Sequence, residues 1–238
     1  MSTFADDEEG VDDATKLQIS KHFLLSSPPG QFQEVLKDVK TLVGTSLVSE
    51  SLCEETAKSY NNRNNRIVKA PSGSNVTLSV AGEVDKSHQI DPTNGSVFKV
   101  NHLDMTTSEG GEEAPASNAD TSLELKQAAL QTDISAYVTG RYVCESCSGC
   151  AYAKDGKMVV VITGENPNLR NFWAGKWNSV FTITDISTSS AQISGEIKVH
   201  AHYFEDGNVQ LQTQKPIAAS EIKYTNEKEF AEAVVKLI

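Results

Sequence analysis

A chain of 238 residues with 38% hydrophobic and 22% charged residues has a globular composition, which excludes a fibrous or wholly disordered protein. It carries 32 acids against 21 Lys and Arg, a formal net charge of −11, so a whole-chain basic field for nucleic acid is excluded as well. Eleven acids sit in residues 1–13 and 101–122, which hold no Lys or Arg, and the remainder balances at 21 of each sign.

Residues 1–13 form an acidic leader (Asp6, Asp7, Glu8, Glu9, Asp12, Asp13) with no apolar run, unlike a signal peptide. No stretch approaches 18 consecutive apolar residues, so no membrane span is expected, and the four cysteines are read as reduced thiols of a cytoplasmic protein. Residues 14–66 read as an antiparallel helical stalk. Asp12 or Asp13 caps a first helix running to about Leu25, and Pro28-Pro29-Gly30 breaks it, because proline lacks a backbone donor and restricts the residue before it. Phe32, Val35, Leu36, Val39, Leu42 and Val43 recur at three- and four-residue spacing, one apolar stripe of a second helix that Gly44 ends. Ser51 and Glu54 have capping-box spacing for a third helix toward Tyr60, followed by an Asn- and Arg-rich connector over residues 61–66.

Residues 67–103 change to strand periodicity, with Val76, Leu78 and Val80 alternating, and form a small β region. Residues 104–120, rich in Ser, Thr, Gly, Glu and Ala, read as an acidic loop. Thr121 and Glu124 open a helix over residues 121–141, with Leu123, Leu130, Ile134, Tyr137 and Val138 on its buried side. Residues 142–218 read as an antiparallel meander. Asp155-Gly156 suits a tight hairpin turn, and Met158 begins a run that is apolar on both faces. Ile193, Ile197, Val199, Ala201 and Tyr203 share one strand face, opposite Gln192, Glu196, Lys198, His200 and His202; Val209, Leu211 and Thr213 alternate with Gln210, Gln212 and Gln214. Such alternation predicts a sheet packed on one side and polar on the other. Phe230, Val234 and Ile238 start a C-terminal helix over residues 224–238 that covers the apolar side. The fold class is therefore α+β.

Few constellations carry chemistry. Cys144, Cys147 and Cys150 form C-x2-C-x2-C, but a metal usually needs a fourth ligand, and strand alternation sends Cys147 to the face opposite Cys144 and Cys150. Buried thiols are the main reading and a cysteine metal site the alternative. His200 and His202 share a face without a third ligand nearby. Residues 149–157 have the wrong spacing for a phosphate loop, and Met158 stands where a Ser or Thr must bind magnesium. No pattern points to catalysis, to a metal or to a cofactor.

Three blocks carry a resemblance. The run His202-Tyr203-Phe204-Glu205-Asp206-Gly207-Asn208-Val209-Gln210-Leu211 closely resembles the signature of the F-actin capping protein alpha subunit family (CapZ alpha). Residues 21–39, KHFLLSSPPGQFQEVLKDV, resemble that family's N-terminal helices around the Pro-Pro-Gly break. Residues 171–183, NFWAGKWNSVFTI, with Asn171, Phe172, Trp173, Gly175 and Trp177, resemble its tryptophan-containing strand. A weaker match runs through Asp91-Pro92, Phe98 and His102-Leu103. The resemblance implies a non-enzymatic, cytoplasmic protein of the actin cytoskeleton. It pairs with a capping protein beta subunit, caps filament barbed ends without calcium, and answers to protein regulators and phosphoinositides. The signature then serves the sheet and dimer more than direct actin contact. The family's pattern continues past the position of Ile238 into a longer helix and a basic tail that contacts actin. A chain without them implies an alternative form that dimerises but caps weakly.

Overall fold

The computed structural model describes residues 10–110, 121–142 and 146–238. Most of the acidic leader and of the acidic loop, and Cys144, lie outside the described residues. Three helices come first: α1 (Asp13–Leu25), α2 (Phe32–Val43) and α3 (Glu50–Arg63). Asp12 caps α1 by accepting the Thr15 amide at 2.9 Å, and Gly44 ends α2 at φ 88°, where a side chain would be strained. The helices pack around Leu24, Phe32, Leu36, Val39, Cys53, Ala57 and Tyr60. Helix α3 differs from expectation at both ends. Ser49, not Ser51, supplies the cap by accepting the Leu52 amide, and the helix runs through Asn61 to Arg63. Asn61 is buried there and donates to the His102 carbonyl at 2.8 Å, a tertiary contact that holds a weak helix former in place.

A two-stranded sheet, β1 (Ile67–Lys69) with β2 (Asn75–Thr77), and a three-stranded sheet, β3 (His88–Ile90), β4 (Val97–Asn101) and β5 (Thr106–Glu109), follow. Strand β5 corrects the expectation of an acidic loop throughout residues 104–120: Thr106–Glu109 pairs with β4, and its threonines suit an extended backbone. After α4 (Thr121–Arg141) comes the main sheet: β6 (Cys147–Lys154), β7 (Lys157–Asn168), β8 (Trp173–Thr184), β9 (Ser190–Tyr203) and β10 (Val209–Lys223), an antiparallel meander in the order β10-β9-β8-β7-β6. Asp155 and Gly156 turn β6 into β7 with positive φ at both positions, the primed geometry whose twist matches the strands. Strand β10 extends five residues beyond the expected end at 218, past a bulge between Ile217 and Ser220. Helix α5 (Glu227–Leu237) lies with α4 on one sheet face, over Met158, Val160, Ile162, Phe181, Ile183 and Ile193.

The opposite face is polar in sequence but much of it is not solvated, which corrects the expectation of an open polar side. Its β6 end packs on the small sheets through Cys150 and Tyr152 against Val76, Leu78 and Phe98. Its β8–β9 part faces the end of the helical bundle, where Lys176, Asn178 and His202 are buried.

The cysteines separate as alternation requires. Cys147 belongs to the core under α4, and Cys150 to the core on the other face. Cys53 and Cys150 are free and buried, whereas Cys147 is disulfide-bonded, so the expectation of four reduced thiols does not hold for it. Among the described residues no three His, Cys, Asp or Glu side chains gather as a metal site.

Candidate functional site

The three blocks that stand apart in sequence meet at one corner of the main sheet. His202, near the end of β9, is buried, and both its ring nitrogens are engaged. The Gln31 side-chain amide lies 2.7 Å from Nδ1, and the Asn208 side-chain oxygen 2.9 Å from Nε2. The amide NH2 can only donate and the Asn oxygen only accept, so a neutral ring carrying its proton on Nε2 satisfies both. Gln31 directly follows Pro28-Pro29-Gly30. Gly30 makes that turn at φ 78°, and the Tyr60 hydroxyl donates to the Ser27 and Pro28 carbonyls at 3.3 and 3.1 Å. The helix break is thus fixed both to α3 and to the sheet.

The tryptophan block joins the same corner. The Phe204 amide donates to the Phe172 carbonyl at 2.9 Å, and their rings meet edge to face with centroids 5.9 Å apart. His202 packs on Phe204 with a centroid separation of 5.0 Å. Asn171 lies in the short turn leading to this strand. Trp177 packs partly buried against Tyr142, and Gly164, its register partner on β7, leaves it room: a Cβ there would stand 2.7 Å from the indole nitrogen. Of the remaining signature residues, Glu205 accepts from the Tyr203 hydroxyl at 2.7 Å, and Glu205, Asp206 and Gly207 form the exposed turn into β10.

Strand register places apolar side chains in rows above this corner, on the face that carries α4 and α5 further along the sheet. Trp173, Tyr203 and Val209 are one row, and Gly175, Ala201 and Leu211 the next. Here they are exposed: Trp173 37%, Tyr203 41%, Val209 63% and Leu211 58%.

The two edges of the sheet differ. The outer backbone of β6 is engaged at Gly149 and Ala151 by glutamines of α4. Gln131 accepts the Ala151 amide at 2.7 Å and donates to the Gly149 carbonyl at 3.0 Å, while Gln127 donates to the Ala151 carbonyl at 2.8 Å. Strand β10, at the other edge, is exposed along nearly its whole length. A long exposed edge is a template for another strand. The difference between the edges is not legible in the sequence, since nothing in the period of α4 singles out Gln127 and Gln131.

Below the sheet lies a feature that the sequence did not flag. Lys176 on β8 is 6% exposed, and its ammonium has no hydrogen-bond partner among the described residues. Burial pulls it down to about 7, with Glu165 pulling it back up and Arg66 adding to the fall. The available signal was its register: an even position on β8, in line with Asn178.

Residues 20–238 match the family model of the F-actin capping protein alpha subunit. The F-actin-capping protein subunit alpha of Arabidopsis thaliana is 30% identical over 221 residues, covering 87% of this chain and 70% of that protein. That of Gibberella zeae is 31% identical over 206 residues, covering 83% of this chain and 71% of that protein. Among solved structures, the homodimeric actin capping protein alpha subunit from Plasmodium berghei is similar in fold, with a TM-score of 0.75 at 21% identity, over 94% of this chain and 85% of that one.

Proposed function

The chain belongs to the F-actin capping protein alpha subunit family, and we propose that it is the alpha half of a two-chain cap that binds the barbed end of actin filaments without calcium and blocks subunit exchange there. The observation that carries this reading is the asymmetry of the main sheet. One edge is closed by glutamines of α4, and the other presents β10, exposed and flanked by Trp173, Tyr203, Val209 and Leu211. A beta subunit strand laid along β10 would satisfy its outward backbone groups and extend the sheet, and the apolar rows beside it would be buried with it. The signature serves this surface from beneath: His202 and Asn208 fix the hairpin that starts β10, and Gln31 ties that hairpin to the helical bundle. Contact with actin is not assigned to signature residues: His202, Phe204 and Asn208 are taken up by the corner, and Tyr203, Val209 and Leu211 lie where the beta subunit strand would pack. The setting is the cytoplasm and its actin cytoskeleton, with phosphoinositides and protein regulators as further partners that the family likeness suggests. No described helix is long and apolar enough to cross a membrane.

Co-expression with a capping protein beta subunit is the test. The two chains should co-purify at equal stoichiometry, and amide exchange along β10 should slow on pairing. Leu211→Glu, at a side chain already exposed, should leave the fold of the chain intact and abolish co-purification. Failure of the two wild-type chains to associate would sink the reading. Sedimentation of the chain alone addresses a second occupant of the same edge, a second copy of itself, since the similar solved structure is described as homodimeric. A stable self-dimer that refuses the beta subunit would replace the two-chain cap with a homodimer.

A further inference from the structure

Between the end of α3 and the polar face of β8, β9 and β10 lies a cavity of about 480 Å³, with Arg63 and Asn64 on one wall and Lys176, Asn178, Lys198 and His200 on the other. Most of these groups are already satisfied within the protein. Lys198 is ion-paired with Glu196, the Asn178 amide donates to Asn65 at 2.6 Å, and the His200 ring meets Gln210 at 3.1 Å. Lys176 is not satisfied. Its register neighbour Glu165 is held by Arg66, with Nε to Oε2 at 2.9 Å, so one carboxylate faces two cations, the buried Lys176 and the partly buried Arg66. Arg63, across the cavity, forms no ion pair among the described residues.

Buried charges are normally paired, and an ammonium without a partner in such a place is costly. We propose that this cavity is a binding site for a small soluble oxyanion of the phosphate and sulfate class, held between Lys176 of the sheet and Arg63 of α3. A tetrahedral anion has acceptor oxygens in several directions and so can meet donors on two facing walls, whereas a planar carboxylate presents one edge to one wall. No carboxylate lines the cavity, so its local charge is positive although the chain as a whole is strongly acidic. An anion seated there would brace the end of α3 against β8, alongside the Gln31–His202 link.

Thermal unfolding and calorimetric titration of the full chain in sodium phosphate, sodium sulfate, sodium acetate and sodium chloride at matched ionic strength test the site. Phosphate and sulfate should raise the melting temperature saturably beyond chloride, and acetate should not. Lys176→Met should raise the melting temperature in chloride, because it removes an unpaired buried charge, and should abolish the phosphate-specific rise. Arg63→Gln, at an exposed position that leaves folding unaffected, should weaken phosphate binding by at least about fivefold. Equal responses to phosphate and chloride, an acetate response as large as that to phosphate, or unchanged phosphate binding in either variant would overturn the proposal.

Discussion

His202 is the residue on which the corner turns. One imidazole accepts from Gln31 and donates to Asn208, and so joins the Pro-Pro-Gly break of the helices to the hairpin that launches β10. Truncation would leave the Gln31 and Asn208 amides short of a partner and open a hole beside Phe204. His202→Ala is therefore expected to cost about 2 kcal/mol or more in urea unfolding, while His202→Gln, which keeps one donor and one acceptor, should cost less. Faster amide exchange at residues 28–31 and at the start of β10, together, is the expected mark of a lost link. Equal stability of the alanine variant and the wild type would mean that the ring is incidental. The sequence marks His202 as part of a signature, but its partner lies 171 positions away, beyond the reach of any spacing argument.

At the scale of elements, legibility follows the strength of the local signal. Helix α2 could be read to its ends because its apolar stripe, its proline-bounded start and its terminal Gly44 agree. The end of α3 could not, because Asn61 is held helical by the His102 carbonyl and not by its own preference. Strand β5 was hidden in an acidic, threonine-rich stretch whose pairing depends on β4. The burial of Lys176 was hidden for a similar reason: alternation assigns a residue to a face but does not say what covers that face. The glutamines of α4 are the least legible and among the most consequential. Gln131→Leu keeps the volume but leaves the Ala151 amide and Gly149 carbonyl without their partner, with an expected cost of about 1–3 kcal/mol. The variant should also aggregate faster, through an edge that is now open. Denaturant midpoints and light scattering measure both, and a variant unchanged in each would show that the β6 edge needs no such cover.

For the whole molecule, a closed edge and an open edge give the sheet a direction. Growth of the sheet is possible past β10 and blocked past β6, and the helices α4 and α5 cover the apolar face further along the strands, from β6 across to Ile222 of β10. The apolar rows left exposed beyond the helices are the ones that the proposed beta subunit strand would bury. Elongation of actin from seeds with free barbed ends, in the presence of a calcium chelator and of this chain purified with a beta subunit, tests the account most directly. Growth at barbed ends should stop at complex concentrations far below that of actin, while growth at pointed ends continues. Undiminished barbed-end growth with a folded, stoichiometric complex would contradict it.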